Sequence, residues 1–304
     1  MKRFLIAARS FSLPASLVPV LFGTVLAVVY GAAAFDFGSF MLAMLAMASI
    51  HSGANMLNDC FDFKLGLDRS VSPGSGAVVR GLIKPGTALL AAIALFCLGA
   101  GIGIYLALKI SLAIMVLGII GLSAAIFYSC GPRPLKHYAW GDATVFISFG
   151  ILGALGGWIV QTGSAAVMPA LWSTPIAMLI VAILHANNWR DSESDGSRGV
   201  TTVASKFGGK SVYYYLALLF APYLLIVLFI VLPRLLNPFY AMPWIFLITA
   251  FSLPKAFGLA KRAIYFHRFP DSHPIHDLDA RTAQLNLVFG LLAVLAGVLD
   301  AAIR

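Results

Sequence analysis

The sequence predicts an all-α polytopic membrane protein that forms one domain over residues 1–304. Hydrophobic residues make up 60% of the chain and charged residues only 11%, whereas a soluble domain carries about 25% charged residues. So few charges cannot cover a water-soluble surface, and the mean hydropathy of +0.91 indicates that lipid surrounds much of the chain. Because the bilayer core lacks water, each spanning segment must be helical to satisfy its own backbone groups.

Nine apolar runs of spanning length follow one another along the chain, and we expect each to be a transmembrane helix. The runs are 12–35, 40–57, 86–108, 110–128, 143–160, 168–186, 212–232, 242–260 and 282–302. Long polar loops follow the even-numbered runs, whereas the other connections are short. The first run has no small-residue cleavage site behind it, so we expect a retained helix rather than a signal peptide.

The charged residues alternate from side to side with the runs. If the N-terminus is cytosolic, 18 of the 21 basic residues fall on the cytosolic side, as the positive-inside rule requires. Ten of the 12 acidic residues fall there too, although that rule makes no demand on acids. The formal charge of +9 therefore indicates basic loops against anionic lipid or an anionic ligand, and we expect no nucleic-acid partner.

A first polar segment continues the second run. Its members are Asn55, Asn58, Asp59, Asp62 and Asp68. The first four are spaced i, i+3, i+4 and i+7, which places them on one helix face, where stacked carboxylates would repel one another. A divalent cation relieves that repulsion, and Mg²⁺ takes carboxylate oxygens together with phosphates and water. Gly66 would let the chain turn so that Asp68 returns toward the site.

A second polar segment ends the sixth run. Its members are Asn187, Asn188, Arg190, Asp191 and Asp195. Asp191 and Asp195 are four residues apart and share a helix face, while the asparagines can donate to phosphate oxygens. A single acidic pair at the end of a span often forms only a solvated helix terminus. Two such segments on one membrane face, each with an Asn before its carboxylates, favour a site for a metal and a phosphate.

Together these residues resemble the intramembrane prenyltransferases of the UbiA superfamily. The segment 58–62 matches the family's N-D-x-x-D motif, and 191–195 matches its D-x-x-x-D motif. Residues 11–24 look like the family's first helix, and 128–136 with Gly141-Asp142 look like the loop after its fourth helix. The string 149–163 and the wide spacing between Asp62 and Asp68 are similar to the branch that prenylates 1,4-dihydroxy-2-naphthoate.

The resemblance implies a fold, a reaction and a location. The fold would be nine transmembrane helices around a central cavity that opens to lipid and is capped by cytosolic loops. The reaction would transfer a prenyl group from a polyprenyl diphosphate to an aromatic acid, foremost 1,4-dihydroxy-2-naphthoate in menaquinone biosynthesis. The location would be a bacterial plasma membrane, with the N-terminus and the active site on the cytosolic side.

The resemblance also implies roles for the polar residues. Mg²⁺ would be held by Asp59, Asp62, Asp191 and Asp195, with Asp68 assisting. The substrate-binding residues would be Asn55, Asn58, Asn187, Asn188, Arg133, Lys136, Arg190 and Arg198. Tyr128 would stabilise the allylic cation through its ring face. The alternatives are an ordinary positive-inside charge for each basic residue and a membrane-interface tyrosine for Tyr128.

One position departs from the naphthoate branch, whose members usually carry G-K-x-T after the second motif. This chain reads Gly199-Val200-Thr201-Thr202, and Arg198, Lys206 or Lys210 could supply the missing charge. Other acceptors, such as 4-hydroxybenzoate or homogentisate, are alternatives within the family. An ion-coupled transporter is the alternative from another class, although its acids would lie near the bilayer midplane rather than at one face.

Overall fold

The computed structural model describes residues 2–64, 66, 76–196, 199–236, 241–269, 275 and 277–303. Their α-helices are α1 (Lys2–Ala7), α2 (Pro14–Tyr30), α3 (Phe37–Lys64), α4 (Pro85–Lys109), α5 (Ala113–Ser129), α6 (Gly141–Val145), α7 (Leu152–Thr162), α8 (Val167–Trp172), α9 (Thr174–Gly196), α10 (Val203–Phe207), α11 (Ser211–Leu236), α12 (Leu253–Arg268) and α13 (Leu278–Ile303). Shorter 3₁₀ segments cover Ser10–Ser12, Leu135–His137, Gly208–Lys210 and Trp244–Ser252, and a π-helical segment covers Phe146–Ile151. Asp68 and Arg198 lie outside the described residues.

Helix covers each of the nine predicted runs, which confirms an all-helical membrane protein. Within the described ranges, seven helical segments are long and apolar enough to cross a membrane: Ser10–Tyr30, Phe37–Lys64, Pro85–Lys109, Gly141–Thr162, Val203–Leu235, Trp244–Arg268 and Leu278–Ile303. The other two runs form α5, which has 17 residues, and α9, whose last turns carry the second polar segment. The count of nine spans therefore stays a prediction.

The helices pack as two regions with a cavity between them. In the larger region, α2, α7, α9, α11 and α13 bury a common core, with Phe22, Tyr215 and Phe289 among its largest side chains. In the smaller region, α1, α3 and α4 enclose a cluster around Met56, which the turn at 77–80 helps to cover. Burial of these apolar side chains holds the two walls of the cavity in place.

In the larger region the backbones of α2 and α7 pack closely against each other. A Cβ atom on Gly23 would lie 1.9 Å from the carbonyl oxygen of Ala154, and one on Gly157 would lie 2.2 Å from that of Val20. These two glycines therefore let the backbones of the two helices touch, as small residues do between membrane helices. The π-helical segment that precedes α7 directs Phe149 into the cavity.

Candidate active site

A cavity of about 600 Å³ joins the two polar segments. Its polar lining includes Arg9, His51, Asn55, Asn58, Asp62, Tyr128, Lys136, Thr144, Ser148, Asn187, Asn188, Arg190, Asp191 and Thr202. From this polar end the cavity continues as an apolar channel between α3, α4, α5 and the segment formed by the π-helix and α7. The structure thus brings both sequence-predicted segments to one cavity, although 129 positions separate Asp62 from Asp191.

The α3 side of the site centres on Asn58. Its amide nitrogen Nδ2 donates to Oδ2 of Asp62 at 2.8 Å, and its oxygen Oδ1 accepts from Oγ of Ser129 at 2.8 Å. Nζ of Lys136 donates to Oδ1 of Asn58 at 2.7 Å and also to Oδ1 of Asp62. The side chains of Lys136 and Asp62 are only 12% and 11% exposed, so water screens this ion pair weakly.

The α9 side of the site centres on Arg190, whose side chain is 8% exposed. Its Nε and Nη2 atoms donate to the two carboxylate oxygens of Asp191 at 2.9 and 3.0 Å, a bidentate geometry. Nη2 also donates to Oδ1 of Asn187 at 2.7 Å, and Nη1 donates to Oδ2 of Asp279 at 2.9 Å. Arg190 therefore fixes Asn187 and Asp191 in the cavity wall and is itself held by α13.

Asp59 lies in a different environment from the other three residues of the α3 segment, and its predicted role as a metal ligand stays a prediction. It is 1% exposed, and its Oδ2 atom accepts from the backbone nitrogen of Val78 at 2.9 Å. Among the described residues, the cavity is lined by Asn55, Asn58 and Asp62 but not by Asp59. Each helical residue is rotated by about 100° from the one before, so Asp59 turns from the face of Asn58 toward the turn at 77–80.

The loops after α5 and α9 are joined over the polar end of the cavity. Tyr138 and Thr201 form a parallel bridge, in which Ala139 donates to the carbonyl of Thr201 at 2.7 Å and Thr201 donates to that of His137 at 3.1 Å. Burial and the neighbouring Lys136 lower the pKa of His137, so its ring adds little positive charge beside Lys136 at pH 7.

The remaining predicted residues are divided between the cavity, the surface and the parts that lie outside the described residues. Tyr128 and Asn188 line the cavity, and so does Val200 at the position of the missing Lys. Arg133, Lys206 and Lys210 are exposed. The backbone of Asp195 belongs to the last turns of α9, but its side chain, like Asp68 and Arg198, lies outside the described part.

The oxygen atoms on both walls are suitable ligands for Mg²⁺ if the substrate supplies the remaining ligands. The described residues hold no cluster of three or more His, Cys, Asp or Glu side chains that could bind a metal unaided. Each wall instead presents one carboxylate and a neighbouring amide oxygen, from Asp62 with Asn58 and from Asp191 with Asn187. Mg²⁺ is commonly bound by one or two carboxylates with phosphate oxygens and water, so these donors fit that ion.

Comparison with known proteins identifies the family of this chain. The profile of the UbiA prenyltransferase family matches residues 16–264. The chain belongs to this family. It is 34% identical over 301 residues to the Drosophila melanogaster homologue of UbiA prenyltransferase domain-containing protein 1, covering 97% of this chain and 79% of that protein. It is 33% identical over 287 residues to 1,4-dihydroxy-2-naphthoate octaprenyltransferase of Bacillus subtilis, covering 93% of this chain and 88% of the relative.

A solved structure supports the fold of this UbiA-family protein. The UbiA homologue from Archaeoglobus fulgidus, bound to DMAPP and Mg²⁺, superposes with a TM-score of 0.61 at 15% identity. The match covers 96% of this chain and 99% of that one. The helical arrangement is therefore that of the family along nearly the whole chain.

Proposed function

We propose that this protein is a Mg²⁺-dependent prenyltransferase that transfers the prenyl group of a polyprenyl diphosphate to an aromatic acid. The observation that carries the proposal is the two-part cavity, in which a polar end with oxygen donors and cations opens into an apolar channel. A prenyl diphosphate has the same two parts, because its diphosphate needs cations while its tail needs an apolar surround. The charge distribution of the loops supports a cytosolic position for the polar end.

The two acidic walls would hold Mg²⁺ together with the diphosphate. Asn58 and Asp62 on α3 and Asp191 on α9 are the described ligands of this proposal, and Asp68 and Asp195 are further proposed ligands from the sequence. When bound, Mg²⁺ would neutralise the charge that develops on the leaving diphosphate. Asp59 does not line the described cavity: one carboxylate oxygen bonds Val78 and the other is buried without a partner among the described residues, so its role as a ligand stays a prediction.

The cations beside these ligands would act on the diphosphate. Lys136 and Arg190 lie against the proposed ligands and line the same cavity, so each can donate to diphosphate oxygens from its own wall. Lys acts as a point charge and Arg as a planar fork, so Arg190 would orient an oxygen pair more strictly. Asn188, which lines the same cavity, would add an amide donor.

The channel would bind the isoprenoid tail and keep water from the allylic cation. Tyr128 lines the cavity from α5, and its ring would stabilise the cation by its face. From there the lining turns apolar, with Leu122, Phe149 and Leu152 among its members. Exclusion of water would prevent hydrolysis of the cation before the acceptor attacks it.

The proposed acceptor is 1,4-dihydroxy-2-naphthoate, which would place the protein in menaquinone biosynthesis in a bacterial plasma membrane. Support comes from the Bacillus subtilis relative, whose name states that acceptor and which is similar over most of both chains. The animal relatives are equally similar, and their names state no acceptor. The electron-rich ring would attack the allylic carbon, form a carbon–carbon bond and lose its carboxylate as carbon dioxide.

Purified protein in lipid nanodiscs, incubated with geranylgeranyl diphosphate, Mg²⁺ and one aromatic acid at a time, tests the proposal. Mass spectrometry of the product reports the acceptor. We expect prenylated 1,4-naphthalenediol from 1,4-dihydroxy-2-naphthoate, and near-complete loss of product in Asp62→Asn and Asp191→Asn. Asp277→Asn is the matched control, because Asp277 is an exposed acid that pairs only with surface arginines among the described residues. Wild-type levels of product from both site variants would refute the assignment of the site.

A further inference from the structure

Arg9 was not among the predicted site residues, yet the fold places it in the cavity. It links α1 to the Ser10–Ser12 turn with φ 49° and ψ 53°, a left-handed conformation that residues other than glycine seldom adopt. The carbonyl of Arg9 accepts from both the backbone nitrogen and Oγ of Ser12 at 2.8 Å. Nδ2 of Asn55 donates to the carbonyl of Ala8 at 3.0 Å, so α3 fixes this link and with it the direction of the Arg9 side chain.

The ion pairing of the cavity singles out Arg9. Lys136 pairs with Asp62, and Arg190 pairs with Asp191 and Asp279. Arg9 lines the same cavity, but no described carboxylate lies within 4.0 Å of it, and its buried Nε atom has no hydrogen-bond partner in the described part of the chain. The charge that acts on Arg9 from the described residues is that of the buried Asp59 carboxylate, which interacts with it electrostatically but forms no ion pair or hydrogen bond with it in that part of the chain. The Nε donor of Arg9 is therefore free to bond an anion in the cavity.

His51 supplies a second unpartnered polar group beside Arg9. It lines the cavity, is 5% exposed, and has its Nε2 atom 2.9 Å from Oγ of Ser12, the residue that also bonds Arg9. Its buried Nδ1 atom lacks a partner among the described residues. The ring centroid of His51 lies 4.9 Å from that of Phe149, which also lines the cavity. Buried polar atoms are normally bonded, so this orphan nitrogen points to a ligand.

We propose that Arg9, His51 and Phe149 form the subsite for the acceptor, a planar aromatic acid. Arg9 takes the carboxylate, the ring of Phe149 packs against the aromatic ring, and Nδ1 of His51 bonds a ring hydroxyl. This inference rests on the proposed function and adds to it the place and the required charge of the acceptor. In this proposal Arg9 binds the carboxylate of the acceptor. It does not replace the Lys that other members of the naphthoate branch carry at the position of Val200.

Depth along α3 favours the acceptor over the diphosphate as the ligand of this subsite. His51 lies seven residues before Asn58, which is about 10 Å along the helix axis. The diphosphate belongs beside Asn58 and Asp62, so His51 lies beside the first part of the tail, where the acceptor ring must meet the allylic carbon. Arg9 interacts electrostatically with both His51 and Asp59, so it would hold the acceptor carboxylate between the ring and the polar end. A guanidinium binds a carboxylate there through two parallel hydrogen bonds.

Two fluorescent compounds that differ by one carboxylate test the subsite: 1-hydroxy-2-naphthoate and 1-naphthol. Binding of each compound to purified protein is titrated in the absence of prenyl diphosphate. The proteins compared are the wild type, Arg9→Gln, Arg9→Lys and Arg3→Gln. We expect the wild type to prefer the acid by about tenfold or more, as one charge-assisted contact implies. Arg9→Gln should lose this preference and Arg9→Lys should keep part of it. Arg3→Gln removes an exposed charge of the same segment and should leave the preference unchanged.

Binding of geranylgeranyl diphosphate with Mg²⁺ to the same variants separates the possible results. Unchanged donor affinity in Arg9→Gln, with loss of the acid preference, supports the subsite and shows that the variant is folded. An intact acid preference in Arg9→Gln, or a loss of donor affinity of the same size, overturns it. If the acid preference depends on Arg9 but no prenylated product forms, the subsite stands and the proposed reaction fails. If product forms and Arg9→Gln leaves the KM for the acceptor unchanged, the reaction stands and the subsite fails.

Discussion

Lys136 donates hydrogen bonds to both Asn58 and Asp62, so one ammonium group covers the two oxygen donors that α3 presents to the cavity. A metal ion bound by the same atoms would meet this positive charge at close range. Lys136 therefore holds the α3 donors in place and competes with a cation for them. The same residue would gain new acceptors when a diphosphate enters, because its ammonium has three donor hydrogens.

Lys136→Met should tighten the binding of Mn²⁺ to the substrate-free protein and weaken the binding of geranylgeranyl diphosphate. Each effect should be about tenfold, the size of one charge-assisted contact. Electron paramagnetic resonance of free Mn²⁺ measures the first effect, and equilibrium binding of the donor measures the second. Lys64→Met is the control, because Lys64 is an exposed lysine at the end of α3, the helix that carries Asn58 and Asp62. Weaker Mn²⁺ binding in Lys136→Met would contradict the competition.

Asp279 should be needed to position Arg190. Asp279→Asn leaves Arg190 paired with Asp191 but removes the buried carboxylate that holds Nη1 from α13. We expect a loss of stability of about 1.5–3 kcal/mol, the range for a hydrogen bond to a charged group, and a rise in the KM for the prenyl diphosphate. Thermal unfolding and steady-state kinetics measure the two effects.

The comparison for Asp279→Asn is Asp277→Asn, two residues away. Asp277 forms ion pairs with Arg262 and Arg281, but all three side chains are about half exposed. Exposed pairs contribute at most about 1 kcal/mol because water and salt screen them, so this variant should melt close to the wild type with an unchanged KM. If both substitutions changed the Tm and the KM by the same amounts, Asp279 would have no special role in positioning Arg190.

Asp36 should stabilise the far end of the bundle over the whole neutral and mildly acidic range. The backbone nitrogen and hydroxyl of Ser39, together with Lys109, hold the pKa of Asp36 well below its usual range. A lowered folded-state pKa gives stability that is present above the unfolded pKa and is lost as the pH falls through the folded one. Asp36→Asn should therefore lower the Tm by a similar amount at pH 7 and pH 5. A difference that vanishes already at pH 5 would contradict this.

The sequence was sufficient to predict the helices and the meeting of the two polar segments, because both depend on local patterns. Hydropathy marks each helix, and the spacing of Asn58 and Asp62 places them on one face. The positive-inside rule then puts the segment around Asp191 on the same side of the membrane. None of these steps requires knowledge of which helices are neighbours.

The remaining features of the site depend on partners that are distant in the sequence. Asp59 turns from the cavity because the backbone of Val78 bonds it, and Arg190 is held by an acid 89 residues later. From the sequence, Asp279 is an ordinary acid in the first turn of a helix, where the helix dipole favours negative charge. Arg9 resembles the other basic residues near a cytosolic terminus, because the sequence does not predict the left-handed backbone that directs its side chain.

The length of the donor that the channel accepts should depend on glycines along α5. A Cβ atom on Gly118 or Gly121 would meet no described atom within 4 Å, and both residues line the channel. They lie about 15 and 10 Å below Tyr128 along the helix axis, at 1.5 Å per residue. A leucine at either position should therefore fit without strain and fill the channel at a known depth.

Gly121→Leu should reject donors that Gly118→Leu still accepts, because its side chain blocks the channel nearer to the diphosphate. The measurement is the kcat/KM for geranyl, geranylgeranyl and octaprenyl diphosphate, with the acceptor held constant. Gly101→Leu is the matched control, since a Cβ atom there also meets no described atom within 4 Å but Gly101 does not belong to the described cavity lining. Its donor preference should equal that of the wild type. If both α5 variants keep the wild-type preference, the tail does not follow α5, and the channel would have to bind it along another wall.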